Sequence, residues 1–378
     1  MLIGKIDGKS VTKKLAITSG KIIIRPDRIV KLALLSVICG YRKSKKIEVS
    51  ESFWTNSADL NSFLNFILNH KKFAPIKFNV EVDYPLSFST KRLIKKRAGR
   101  YLVLGSGGID STGAIFHYLD NKIKPLVFFL HFGQINNNRE EKIIKDICKR
   151  FDLDMVVARI NIKKEVLMGW KEWNYIVPAR NFLISSLGAL VLKEIASSGK
   201  IVLATTQEEI NHPNATPDKS KRFYAFCSEL YSKEYGTGIQ LITPFSNVTK
   251  SELLSVWRRK WLKKYNFSPY ETSTCYKGIE CGECNSCFKR SISLLAGGFG
   301  LDRTIKVNPF EFDIDKSIKY LKRAFSKRGN FTAKRRLYTI RGYIRASELG
   351  IIKSQRLKKE VASAGRKLNL SVNSKDYK

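Results

Sequence analysis

Two short stretches of this chain combine residue types and spacings that chemistry could use. The first is Gly105-Ser106-Gly107-Gly108-Ile109-Asp110-Ser111, which follows the apolar run 101–104 and leads into a helix-like segment. Glycines at a strand-to-helix turn let backbone N–H groups approach an anion, and the helix that follows adds its positive end. Ser106 and Ser111 supply hydroxyl donors, while Asp110 would repel phosphate unless it bonds loop amides or holds Mg2+. No lysine stands in the turn, so it is not the lysine-bearing nucleotide loop. Asp110 also occupies the place of the third glycine in a dinucleotide fingerprint. The second stretch contains Cys275, Cys281, Cys284 and Cys287, spaced C-x5-C-x2-C-x2-C. Two consecutive C-x2-C steps turn their thiolates toward one centre, and the fourth sulfur closes a tetrahedron. That describes a structural zinc site with no open position. An iron–sulfur cluster also accepts four thiolates; zinc is the reading adopted.

The elements around these stretches alternate. YLVLGS, PLVFFLHF, MVVARINI, KIVLATT and IQLITPF read as strands, and TGAIFHYLD, REEKIIKDICKRF, NFLISSLGALVLKEIAS and FYAFCSELYSKEY read as helices between them. Strand–helix alternation predicts an α/β fold with a doubly wound parallel sheet. The first hundred residues predict a small α+β unit. It has a hairpin turning at Ser19-Gly20, helices over RIVKLALLSVIC and SADLNSFLNFILNH, a strand ending at Pro85 and a linker over STKRLIKKRAGR. The last segment predicts basic helices, among them DIDKSIKYLKRAFSK and SQRLKKEVASAGRKL.

The net charge of +36 over 378 residues is unevenly placed. Residues 1–100 carry 21 Lys/Arg against 7 Asp/Glu, residues 301–378 carry the same numbers, and the 200 residues between carry 27 against 19. Such ends favour a polyanion or an acidic protein partner. No run of eighteen apolar residues occurs, so no membrane partner is expected. The N-terminal MLIGKIDGKSVTKK lacks an apolar leader, and four of the seven cysteines are clustered; both suggest a cytoplasmic protein.

The loop Ser106–Ser111 resembles the PP-loop of the N-type ATP pyrophosphatases. The cysteine stretch, with Tyr276 after Cys275 and Arg290 closing a C-G-x-C-x-S-C-x-x-R run, resembles that of the 7-cyano-7-deazaguanine synthase (QueC) family. Phe132-Gly133-Gln134, Val177-Pro178-Ala179-Arg180-Asn181, Thr243-Pro244-Phe245 and Thr249-Lys250-Ser251-Glu252 are similar to further elements of that family, in the same order. The resemblance implies an adenine nucleotide alpha hydrolase-type, Rossmann-like fold with a small zinc loop. It also implies ATP, Mg2+ and structural Zn2+ as cofactors, with a 7-deazaguanine carboxylate and ammonia as reactants. Adenylation of the carboxylate would release pyrophosphate, ammonia would displace AMP to give the amide, and a second adenylation would give the nitrile. On this reading Ser106, Gly107, Gly108, Asp110 and Ser111 hold pyrophosphate, and Gly133 and Gln134 lie near the nucleotide. Asp110, Ser111, Lys250 and Arg180 serve catalysis.

The chain departs from the family pattern over TTQEEINHPNATPDKSKRFYAF, where a Cys-Arg pair is missing. Glu208 or Glu209 stands where the family has an earlier Asp, and Glu209 and Asp218, with Arg180, are the candidates for holding the substrate there. The other departure is length: residues 98–300 would form the synthase-like domain, 1–97 an N-terminal α+β domain, and 301–378 a basic helical extension. That layout resembles extended members of the anti-phage defence type (QatC-like), whose ends would meet nucleic acid or an operon-encoded protein; a homodimer is a further expectation. Two other readings are a tRNA-modifying PP-loop thiolase, which needs a reactive cysteine among Cys39, Cys148 and Cys227, and an inactive nucleotide-binding subunit, which the intact loop argues against.

Overall fold

The computed structural model describes residues 99–132, 136–159, 179–196, 198–210, 217–236, 238–275, 277, 279–325 and 333–368. Before residue 99 it describes 2–6, 9–13, 22–24, 80–82 and 86–90, and the helical positions 29, 30, 33, 36 and 37. Contacts divide the chain into two compact units. The first comprises residues 1–106, 117–204 and 215–244, and the second 107–116, 205–214 and 245–378.

The first unit is built on strands. A three-stranded antiparallel sheet joins β1 (Leu2–Ile6) to β2 (Lys9–Lys13) and β4 (Val80–Val82). A seven-stranded sheet uses β3 (Ile22–Ile24), β5 (Leu86–Thr90), β6 (Arg100–Gly105), β7 (Leu126–His131), β8 (Met155–Arg159), β9 (Ser198–Val202) and β10 (Gly238–Ile242). Its order is β10-β9-β6-β7-β8-β5-β3. The strands from β10 to β8 are parallel, and β5 and β3 continue the sheet antiparallel. Parallel strands buried on both faces must be apolar throughout, which is why β6 and β7 read as continuous runs.

The chain leaves β6 toward β7 and β8, then returns to the other side of β6 for β9 and β10. The connections carry α1 (Ile109–Asp120), α2 (Asn137–Arg150), α3 (Arg180–Ile195), the single turn α4 (Gln207–Ile210) and α5 (Lys221–Tyr235). Right-handed crossovers running in opposite directions from β6 place their helices on opposite faces, which is the doubly wound α/β arrangement. In open sheets of this kind, ligand-binding segments follow the strands that flank the reversal. Here those strands are β6 and β9.

The second unit is helical after α4. It contains α6 (Lys250–Val256), a π-helical turn at Trp257–Trp261, α7 (Leu262–Tyr265), α8 (Asn285–Ala296), α9 (Ile314–Phe325), α10 (Ala333–Glu348) and α11 (Gln355–Lys367). Phe288, Ile292 and Leu295 of α8 share one buried cluster with Phe310, Leu321, Ile340, Tyr343, Leu357 and Val361. That core runs across residue 300, and β3 and β5 draw the first hundred residues into the main sheet. Contacts group the chain as two units, each assembled from separate stretches of sequence.

The strand expected at Ile22–Ile24 forms, but its described partner is β5 rather than a hairpin neighbour. The hairpin turn, the helix over 57–70 and residues 91–98 of the expected linker 89–100 lie outside the described residues; Ser89 and Thr90 of that linker end β5, and Arg100 opens β6. No helix among the described residues is long and apolar enough to cross a membrane.

Candidate active site

In the second unit, the turn after β6 takes the conformation its glycines allow. Gly107 has φ +66°, in the left-handed region that favours glycine. Its carbonyl accepts the backbone N–H of Ser273 at 2.8 Å. The Gly108 carbonyl accepts Thr112 N–H at 3.1 Å and the Ser111 hydroxyl at 3.3 Å, which closes the first turn of α1. Asp110 stands in that turn, where the helix end favours a carboxylate.

Two packing contacts set what Asp110 meets. A side chain added at Gly113 would come within 3.1 Å of Leu253, so α1 and α6 approach closely there. Phe116 is ringed by Trp257, Trp261, Tyr265 and Phe267, with ring centroids 4.6 to 5.8 Å away. Three residues before Gly113 and Leu253 respectively, Asp110 and Lys250 then face each other, and their Oδ2 and Nζ atoms are 2.8 Å apart.

Lys250 owes its position to a capping box. The Thr249 hydroxyl accepts Glu252 N–H at 3.2 Å, and the Glu252 carboxylate accepts Thr249 N–H at 2.8 Å. The Thr249-Lys250-Ser251-Glu252 motif is therefore a helix start that presents Lys250 as its first residue. The backbone N–H of Lys250 donates to both carboxylate oxygens of Glu208, at 2.9 and 3.2 Å. Burial, partly offset by the Lys250 charge and this N–H, pushes Glu208 up to about 7. Lys250 loses hydration in the same place, but the charges of Asp110, Glu209 and Glu208 outweigh that and hold its ammonium well above the usual lysine range. From the sequence, Glu208 and Glu209 are alternatives for a carboxylate here, and Glu209 is the candidate carried forward.

The C-terminal helices also reach this cluster. Lys334, at the start of α10, pairs with Glu252 at 3.2 Å. Arg335 and Tyr338 lie within the field of Glu208.

Also within the second unit, the sulfur atoms of Cys275, Cys281, Cys284 and Cys287 all lie within 4.8 Å of one another. A tetrahedral ion with sulfur ligands at about 2.3 Å separates them by about 3.8 Å. The Cys275–Cys281 and Cys281–Cys287 separations are 3.5 and 3.8 Å, so these four side chains could hold a metal ion. Cys284 caps α8 and accepts Cys287 N–H at 3.4 Å. The adjoining Cys287 thiol and the N–H groups of Cys287 and Ser286 hold the Cys284 thiol below the usual thiol range. Gly282, φ +81°, sits so close to the Val307 carbonyl that a side chain would overlap it. Arg290, fully buried, pairs with Asp302 at 3.3 Å and donates to Pro269 and Thr272 carbonyls at 2.8 and 3.1 Å.

A sequence model described as "Queuosine biosynthesis protein QueC" matches residues 100–297, just over half of the chain. The chain belongs to the QueC family. It is 24% identical over 249 residues to a 7-cyano-7-deazaguanine synthase of Pyrococcus furiosus, covering 56% of this chain and 97% of that one. It is 25% identical over 193 residues to 7-cyano-7-deazaguanine synthase 1 of Sulfurisphaera tokodaii, covering 50% of this chain and 89% of the relative. To synthase 2 of that organism it is 24% identical over 246 residues, 58% of this chain but only half of the relative's length. The family match stops at residue 297, short of α9, α10 and α11.

Of the remaining candidate residues, Arg180 and Asp218 fall in the first unit and Glu209 in the second. Gly133 and Gln134 lie outside the described residues. Arg180 opens α3, directly after Ala179 in the left-handed region at φ 51°. Its charge acts on Glu140, which burial nevertheless pushes up, and which accepts the Asn136 and Asn137 side-chain amides at 2.8 Å each. Asp218 is buried. Its Oδ2 accepts Asn181 N–H at 3.1 Å and its backbone carbonyl accepts the Asn181 side chain at 3.3 Å. Its Oδ1 is buried with no hydrogen-bond partner among the described residues. Asn136, Asn137 and Glu140 gave no sequence signal beyond polar residues at the start of a helix. Glu209 belongs to the second unit, half-buried beside the Lys250 charge.

Proposed function

We propose that this chain is an ATP-dependent ligase that adenylates a 7-carboxy-7-deazaguanine-like carboxylate and carries it to the amide and the nitrile with ammonia. The observation that carries the reading is the phosphate-type loop with its Asp110–Lys250 pair, in a chain of the QueC family. The carboxylate attacks the α-phosphorus of ATP and the bond to pyrophosphate breaks. Ammonia then attacks the acyl adenylate, losing a proton, and AMP leaves. A second adenylation, on the amide oxygen, releases a second pyrophosphate and one N–H proton; the C–O bond then breaks, AMP leaves and the remaining N–H proton is lost as the nitrile forms.

Charge builds on the leaving pyrophosphate, so preorganised donors there lower the barrier. Ser106, Ser111 and the amides of Gly107 and Gly108 would receive those oxygens, as would the Lys250 ammonium once the phosphates compete for it with Asp110. Mg2+ fits the one carboxylate of the loop, Asp110, which suits an ion that takes one or two carboxylates beside substrate phosphates. When bound, it would supply further charge neutralisation. Gly133 and Gln134 are assigned to the nucleotide. Arg180 is assigned to the substrate carboxylate, and Asp218, through Oδ1, to the N1–H and amino group of the guanine-like ring, with Glu209 as a further polar contact. The four cysteines are read as a structural zinc site.

The thiolase alternative asks for a reactive thiol outside that site. Among the described residues Cys148 and Cys227 are both buried, and burial pushes Cys227 well above the usual thiol range, so neither suits the task. The basic ends are assigned to a nucleic-acid or operon-encoded partner, as in a defence system.

Incubation with ATP, Mg2+, ammonium and 7-carboxy-7-deazaguanine, followed by mass spectrometry, tests the reading. Amide or nitrile together with AMP is the expected result, abolished by Asp110→Ala. Intact ATP, with the variant behaving as the parent does, would leave only the binding-subunit reading.

A further inference from the structure

A buried carboxylate that the proposed chemistry does not use lies between the cysteine centre and the phosphate loop. Glu280 is 2% exposed and directly precedes Cys281. Its Oε2 is 3.6 Å from the Cys287 sulfur. Its other oxygen, Oε1, accepts the Ser273 hydroxyl at 3.2 Å and the Thr274 N–H at 3.4 Å. The next group along is the Ser273 N–H, which donates to the Gly107 carbonyl at 2.8 Å. Three groups thus run in series from the cysteines to the loop: the Glu280 carboxylate, the 273–274 backbone and the 107–108 peptide. All belong to the second unit.

The last link has a definite geometric effect. The 107–108 peptide is trans, so the Gly107 carbonyl and the Gly108 N–H point to opposite sides of one rigid plane. Holding the carbonyl on Ser273 therefore aims the Gly108 N–H the other way. Gly107 at φ +66° has no side chain to oppose a flip of this plane, so the aim depends on the anchor. Arg290 steadies the same segment from the other end by binding the carbonyls of Pro269 and Thr272.

We infer that Glu280 is a positioning residue that joins the four-cysteine centre to the phosphate loop, fixing Ser273 so that the Gly108 amide faces the anion. The identity of the anion rests on the ATP reading given above; the anchoring of the loop does not. Two consequences follow. An intact cysteine centre is required for a well-ordered loop, although the centre takes no part in the reaction. Loss of Glu280 loosens the loop without removing any group that meets the nucleotide. Glutamine at 280 preserves the link, since its amide oxygen can accept from Ser273 and Thr274 while its NH2 faces the sulfur.

The test uses the full chain without nucleotide, with amide hydrogen exchange followed at residues 106–112 and metal content measured in parallel. Loss of one buried acceptor corresponds to about fivefold faster opening. Glu280→Ala is expected to show that acceleration in the loop, and Glu280→Gln is expected to exchange as the parent does. Stripping the metal from the parent with a chelator is expected to speed exchange in the loop as well as around the cysteines, so the inference stays testable if Glu280→Ala does not fold. Equilibrium binding adds a second readout: Glu280→Ala should weaken pyrophosphate about fivefold and leave adenosine unchanged. Unchanged loop exchange in the alanine variant, or in the chelated parent, would overturn the inference. A parent that binds neither ATP nor pyrophosphate while the exchange effects persist would instead remove the ATP reading and leave the link standing.

Discussion

The two polar clusters of this molecule are built on opposite plans. Around Lys250 in the second unit, Asp110, Glu208 and Glu209 surround one ammonium, and helix starts supply N–H groups to the acids. Around Arg180 in the first unit, amides do much of the work: Asn136 and Asn137 bind Glu140, Asn181 binds Asp218, and one Asp218 oxygen has no hydrogen bond among the described residues. The first cluster gathers three carboxylates about one ammonium and suits a task in which charge arrives and leaves, as with phosphates. The second retains unsatisfied acceptor capacity, which suits a fixed neutral partner with donors to offer. A buried acceptor without a partner costs stability until a ligand supplies the donor.

The sharpest way to break the comparison is to remove the central cation. Lys250→Met should cut AMP formation about 10^2- to 10^3-fold, in the range seen when one transition-state donor is lost. It should also lower stability by about 3 kcal/mol, because Asp110 and Glu208 would face each other uncompensated. Single-turnover kinetics and urea unfolding measure the two effects. Equal loss at Arg180→Met, with Lys250→Met near parental, would reverse the roles given to the clusters.

Next comes pH. Glu208 has its folded-state pKa raised from 4.5 to about 7. Its contribution to stability is therefore fully present below about 4.5 and is lost as pH rises through about 7. Glu208→Gln should remove that slope, worth about 2–3 kcal/mol across the window. Denaturant midpoints at pH 5 and pH 8 read it directly, and an unaltered slope would mean that the carboxylate is not the group titrating there.

Asp218→Asn tests the other cluster at a similar or smaller scale. The amide oxygen can still cap Asn181, so the melting temperature should hold, while KM for the deazaguanine rises about tenfold with kcat and the ATP KM unchanged. A fall in melting temperature with KM unmoved would make Asp218 a helix cap and nothing more. Thr249→Ala should give the smallest effect, about 1 kcal/mol in thermal unfolding, from loss of the capping box that seats Lys250.

What was legible beforehand follows from distance along the chain. The loop Ser106–Ser111, the cysteine spacing and the strand–helix alternation are local patterns, and each appears in the structure where its residues predicted it. Lys250 was legible as part of Thr249–Glu252, because a capping box is itself a local signal. Glu208 was passed over for Glu209, since the choice depends on which carboxylate meets a helix start forty-two residues away. β5 was missed because Leu-Ser-Phe-Ser-Thr, an antiparallel addition to the sheet, lacks the apolar run that marks the parallel strands. Asp218 was legible as a polar residue of the segment 205–226, but its bond to Asn181 was not.

The sequence by itself determined the chemistry available: glycines that expose amides, four thiolates at metal-binding intervals, and an excess of cations at both ends. These depend on residue type and short spacing, which folding cannot change. Only the tertiary structure decided which charges oppose which. Close packing of α1 on α6 at Gly113 and Leu253 sets Asp110 against Lys250, and burial in that place decides the protonation of Glu208. The cysteine centre likewise gains a link to the phosphate loop only because Ser273, more than one hundred and sixty residues from Gly107, is folded against it.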